Sequence, residues 1–166
     1  MPYLVDGNNV MAQRAGWHRD RARARRELLD ELARFARAKR VTVMAVFDGE
    51  PDDHFGDGAS YMGVRVYYAE RGADADERIK RLVESSRERR TLLVVTSDRA
   101  LAGYVRHYGA RVIRSGEFRR MMDEALANDP SMTGRSGADA GEGEGVPATD
   151  LDHWMRYFGV APEDEE

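Results

Sequence analysis

The chain has 166 residues, enough for one domain with a sizeable core, and its 42% hydrophobic and 34% charged content fits a soluble globular protein. The absence of cysteine excludes disulfides, thiolate chemistry and cysteine zinc sites, and no apolar run approaches the roughly 20 residues that cross a bilayer. The net charge of −4 conceals an asymmetry: residues 121–166 carry twelve Asp and Glu against Arg135 and Arg156, whereas Arg14 to Arg40 carries ten Arg or Lys against Asp20, Glu27, Asp30 and Glu31. Because fields are set locally, the basic segment is a candidate polyanion contact, although a solvated helix face accounts for it equally well. The N-terminus lacks a basic stretch followed by a long apolar run, so no secretory signal is expected and a cytoplasmic location fits.

Tyr3-Leu4-Val5 reads as a short buried strand, and Asp6-Gly7-Asn8-Asn9 after it as a turn in which Gly7 permits the bend. Residues 19–39 predict a long helix, with Leu28, Leu29, Leu32, Phe35 and Ala36 recurring at helical spacing. Residues 41–47 (VTVMAVF) predict a second strand, followed by the Asp- and Gly-rich EPDDHFGDGAS, and residues 64–69 a third. A small helical turn is expected in the link between those two strands. Residues 73–89 predict a helix with Ile79, Leu82 and Val83 on its core face. Strands at 91–96 and 110–115 flank a helix at 98–108 ended by Gly109, and a helix at 117–127 closes the domain. Buried β-branched strands alternating with helices point to an α/β fold: a three-layer α/β/α sandwich around a mainly parallel sheet of four or five strands. Residues 1–128 form this domain. Residues 129–148 (DPSMTGRSGADAGEGEGVPA) read as a flexible linker. Residues 149–160 read as a short helix that docks through Trp154, Met155 and Phe158, capped by Thr149 or Asp150, and residues 161–166 as an acidic tail able to compete with a polyanion for the basic face.

The carboxyl ends of parallel strands line up along one edge, where sites form. The first strand ends in Asp6, the second in Asp48 and the fourth in Asp98, and the helix after the third begins with Asp74 and Asp76. Each acid also has a purely structural reading. Asp6-Gly7 and Asp48-Gly49 are turn dipeptides, Asp98 suits a helix cap, Asp74 with Glu77 forms a capping box, and Asp76 suits a first turn. Several strands ending in Asp are less easily dismissed together, because clustered carboxylates repel and a cation offsets that cost. An oxygen-only set suits Mg²⁺ or Mn²⁺, one or two ions, and such ions activate water and neutralise charge on a phosphodiester. Asn8 and Asn9 are placed to donate to a phosphate or to orient a ligand carboxylate. Thr96 and Ser97, with the amides opening the next helix, are candidate water or phosphate holders. Arg14, Arg71 and Arg99 lie in flanking segments that suit strand phosphates. His18, His54, His107 and His153 show no metal spacing and no Ser-His-acid arrangement.

The ordered set LVDGNNVM, VFDG, GADADERIKRLV and VVTSD resembles the NYN domains of the PIN-like nuclease superfamily, in its YacP-like branch, over roughly residues 2–127. The resemblance implies a metal-dependent endoribonuclease cutting single-stranded RNA, with Asp6, Asp48, Asp76 and Asp98 as metal ligands and catalytic carboxylates and Asn9 in the position of the family's Asn. Hydrolysis would leave a 5′-phosphate and a 3′-hydroxyl. Some YacP-like proteins are linked to messenger RNA cleavage on the ribosome, which adds the ribosome to the implied partners. A non-catalytic RNA-binding module is the main alternative, although a degraded member is expected to lose one of Asp6, Asp76 or Asp98. A metal-dependent phosphatase of the haloacid dehalogenase type places DxD at the first strand, where this chain has Asp-Gly-Asn. Nucleotide-binding glycine motifs are absent from the sequence.

Overall fold

The computed structural model describes residues 1–129. The linker, docking helix and tail expected over 130–166 lie outside the described residues. A six-stranded sheet has the order β3-β4-β2-β1-β5-β6. Its strands are β1 (Tyr3–Asp6), β2 (Val43–Phe47), β3 (Ser60–Tyr61), β4 (Val64–Tyr68), β5 (Leu93–Val95) and β6 (Arg111–Ile113). Every pairing is parallel except β3 with β4, a short hairpin on the edge. The sheet therefore exceeds the four or five strands expected by this two-residue addition, too short to leave a periodic signal. The residues joining β2 to β4 hold that hairpin and an isolated bridge between Asp52 and Phe55, not the expected helical turn.

The helices are α1 (Gly7–Met11), α2 (Arg21–Lys39), α3 (Ala75–Ser85), α4 (Arg99–His107) and α5 (Ser115–Ala127). A single 3₁₀ turn, Trp17–Arg19, precedes α2. Asp20 opens α2 by accepting from the Arg23 N–H at 3.0 Å. Asp74 opens α3 by accepting from the Glu77 N–H at 3.1 Å, but the Glu77 carboxylate pairs with Lys80 instead of closing a capping box. The buried stripe of α2 is the expected Leu28, Leu29, Leu32, Phe35 and Ala36.

Strand residues alternate faces, so Tyr3 and Leu4 serve opposite layers. On one face the rings of Tyr3, Phe35 and Phe118 meet at 5.2–5.7 Å between centroids, joining β1, α2 and α5. On the other, Leu4, Val46 and Val94 pack with Ile79 and Val83 of α3 and Leu101 and Val105 of α4. Each fully buried aliphatic or aromatic side chain contributes about 1.5–3 kcal/mol. Among the described residues no helix is long and apolar enough to cross a membrane.

The largest departure from the sequence reading is α1. The Asp6-Gly7-Asn8-Asn9 stretch does not merely turn; it begins a helix directly from the strand. Gly7 is needed there for space, not for bending. A Cβ on it would lie 2.4 and 2.5 Å from ring carbons of Phe47 and 2.9 Å from the Val46 carbonyl oxygen.

Candidate active site

β1 lies at the switch point of the sheet, with β2 on one side and β5 on the other, and ligands in open α/β sheets bind at such crevices. The register sets the acids there. Asp6 is level with Val46, so Asp48 lies just past the end of β2. Val5 is level with Val95, which brings Thr96 beside Asp6. The Thr96 hydroxyl donates to Asp6 Oδ2 at 3.2 Å and accepts from the Asp98 N–H at 3.2 Å.

Asp6, Asp48, Asp76 and Asp98, with Asn8, Asn9 and Ala12, line one pocket of about 260 Å³. Asp48 Oδ1 accepts from the Ala75 N–H at 2.6 Å, at the start of α3. Asp98 Oδ1 accepts from the Leu101 N–H at 3.0 Å and so caps α4 while facing the pocket. The two asparagines reach in opposite directions. Asn8 Oδ1 accepts from the Asp48 N–H at 2.8 Å, and Asn9 Oδ1 accepts from the Ser97 N–H at 2.9 Å and from the Ser115 hydroxyl. Both carbonyl oxygens are thus committed to framework, which leaves the Nδ2 groups as the donors on the pocket side. Helix α1 forms despite its Gly and two Asn because these side-chain bonds hold it across the ends of three strands.

The electrostatics are those of crowded acids. Burial, then the charges of Asp76 and Asp48, push the Asp6 carboxyl up to about 7, against the opposing hydrogen bonds from Thr96 and the Asn9 backbone. Asp76 is also raised, by burial first and then by Asp98, Asp74 and Asp48, with Lys80 opposing. The four carboxylates line the wall without converging on one ligating point. Among the described residues no group of three or more His, Asp or Glu side chains is set to hold a metal ion. The donor chemistry nevertheless suits a hard divalent cation: all oxygen, mutually repelling, with a buried member whose proton is held unusually tightly.

The remaining expected residues divide. Ser97 is tied to the site through its N–H, and its hydroxyl accepts from the Ser115 N–H at 3.1 Å. Arg71 and Arg99 are exposed and do not line the pocket. Arg14 faces away from it, with a guanidinium 3.1 Å from the Glu31 carboxylate. No histidine lines the pocket. Two residues escaped the sequence reading. Ser115, fully buried, joins α5 to Asn9 and carried no motif to mark it. Arg25 lies 5.2 Å from the ring centroids of both Phe47 and Tyr68 and donates to the Asp48 carbonyl at 3.0 Å, holding the backbone that carries Asp48.

A largely parallel sheet between two helical layers, with acids gathered at its switch point, defines a PIN-like α/β/α domain. A family model described as the YacP-like NYN domain matches residues 3–139, and the chain belongs to that family. Its fold is similar to the crystal structure of Rae1 (YacP) from Bacillus subtilis, at a TM-score of 0.65 and 19% identity over 96% of this chain and 88% of that one. A mutant of the same Bacillus subtilis protein matches at a TM-score of 0.65 and 21% identity, over 82% of this chain and 86% of that one. No curated protein sequence matches the chain.

Proposed function

We propose that the chain is a metal-dependent endoribonuclease acting on single-stranded RNA. The observation that carries this reading is the lining of one pocket by Asp6, Asp48, Asp76 and Asp98, drawn from four separate segments with no cation lining the pocket beside them. Mg²⁺ or Mn²⁺ held by these carboxylates would activate the attacking water and neutralise charge on the phosphodiester. The chain's own groups orient the parts. Thr96 aims Asp6, the Ala75 N–H fixes Asp48, and the Leu101 N–H fixes Asp98. The Asn8 and Asn9 amides donate to the phosphate, and exposed Arg71 and Arg99 take phosphates further along the strand. On the same reading the substrates include messenger RNA, the ribosome is a partner, and the cytoplasm is the site of action.

The test is cleavage of labelled single-stranded RNA with Mn²⁺ or with chelator, beside Asp6→Asn. Products bearing 5′-phosphates are expected with Mn²⁺ alone, and cleavage that survives both the chelator and the substitution would overturn the mechanism. The capping roles of Asp48 and Asp98 also favour a second reading, an RNA-binding module without hydrolysis. Metal-independent binding with intact RNA in every arm would establish it.

A further inference from the structure

A second cleft, of about 340 Å³, borders the end of α1 and the turn that follows it. Asn8 and Ala12 line the acidic pocket, whereas Met11, the last residue of α1, and Arg14 to Trp17 of the turn that follows line this cleft. The two therefore meet at the C-terminal end of α1, where Met11 lines one and Ala12 the other. Buried Met11 and Leu28 give the cleft an apolar floor, and the half-buried indole of Trp17 lines it. Arg21, which is not part of the lining, sits over that indole at 5.4 Å and steadies the ring.

The charges around the cleft are arranged differently from those of the acidic pocket. Glu31 is held by Arg14 and by buried Arg119, whose Nε has no hydrogen-bond partner. Glu27 pairs with Arg23 at 2.9 Å, and Asp20 caps α2. Arg19 has no acidic partner among the described residues. The acids are thus already satisfied, so they compete poorly for the hydrogen-bonding edge of a ligand. What the cleft offers is an aromatic face, an apolar floor and guanidinium groups at the rim, the combination that grips unpaired nucleotides.

We propose that this cleft takes a base of the RNA strand adjacent to the scissile phosphate, stacked on Trp17 with the neighbouring phosphates against Arg14 and Arg19. The inference rests on the ribonuclease reading and adds a substrate subsite to it. Recognition is by face, so all bases enter, and purines, with the larger stacking area, bind better than pyrimidines.

The test uses the full chain carrying Trp154→Phe, which leaves Trp17 as its single indole. In chelator, titration with oligoadenylate is expected to quench the indole emission saturably, and oligouridylate to bind more weakly. With Mn²⁺, Trp17→Ala is expected to raise KM about tenfold and change kcat less than about twofold, with Trp17→Phe restoring most of the loss. An abasic nucleotide at one fixed position beside the cleaved bond should erase the difference between Trp17→Ala and the parent. Normal cleavage with unchanged emission and unchanged KM would overturn the cleft and leave the nuclease reading standing. Quenching by oligoadenylate without metal-dependent cleavage would do the reverse. If Trp17→Ala fails to fold, the emission titration and Trp17→Phe still decide the matter.

Discussion

Asp6 and Glu31 are equally buried carboxylates, each 5% exposed, one lining the acidic pocket and the other the second cleft, and their surroundings treat them in opposite ways. Burial raises both. At Glu31 the charges of Arg119 and Arg14 oppose that rise, while at Asp6 the charges of Asp76 and Asp48 add to it. Leaving a buried charge uncompensated is costly, whereas a paired one is tolerable. The contrast separates two uses of the same chemistry. Glu31 ties α2 to α5 and to the segment after α1, with its counter-charge built in. Asp6 has company of its own sign only, which fits a site whose counter-charge comes from outside the chain.

The largest effect that tests this contrast is on catalysis. Asp6→Asn or Asp98→Asn is expected to lower the initial cleavage rate about a thousandfold, the several kcal/mol that metal-assisted charge stabilisation supplies. Circular dichroism should stay unchanged for Asp98→Asn, because Asn caps a helix as well as Asp does. At the other carboxylate the effect should fall on stability. Glu31→Gln strands two guanidinium groups and is expected to cost about 3 kcal/mol in urea denaturation, with much of the loss recovered when Glu31→Leu is combined with Arg119→Leu. Gly7→Ala attacks the helix that borders both regions. Its methyl would drive into Phe47 and the Val46 carbonyl, and a loss of about 2 kcal/mol by the same measurement is expected.

The remaining effect is on pH dependence, and its sign is specific. The unfolded chain releases the Asp6 proton near the ordinary value of 3.8, whereas the folded chain holds it to about 7. Between those values the native state binds more protons, so Asp6 makes the metal-free protein lose stability as pH rises from about 4 to 7. Asp6→Asn should remove that slope and raise the melting temperature of the metal-free protein at about pH 8 by at least about 3 °C. Mn²⁺ should flatten the same slope in the parent, and an unchanged pH profile in both cases would place Asp6 outside any shared acidic site.

Asp6, Asp48 and Asp98 were legible because each follows an apolar run, and Asp76 because it opens the helix after such a run; a parallel sheet brings those ends together whatever the intervening loops do. The buried stripe of α2 was legible for a similar reason, its five apolar positions repeating at helical spacing. Helix α1 was not. Gly and Asn are poor helix formers, and what holds this turn of helix is side-chain bonding to Asp48, Ser97 and Ser115, residues far away in sequence. The same distance hid Ser115 and Arg25. Arg14 lines the second cleft and not the acidic pocket, because the turns after Met11 carry it towards Glu31, a placement that no periodicity displays. The β3 hairpin went unseen because two residues cannot display alternation.

The hydrogen bonds at the acidic pocket also link its members unequally. Thr96 binds the side chain of Asp6 and the backbone of Asp98, so these two acids share one hinge post between β1 and β5. Asp48 binds the N–H of Ala75, the residue before Asp76, so those two share another between β2 and α3. The four acids are therefore linked in two pairs, and adjacent Asn8 and Asn9, bound to the Asp48 N–H and the Ser97 N–H, tie one pair to the other. A substitution at Thr96 would therefore disturb Asp6 and Asp98 together, and one at Asn8 or Asn9 would loosen one pair from the other.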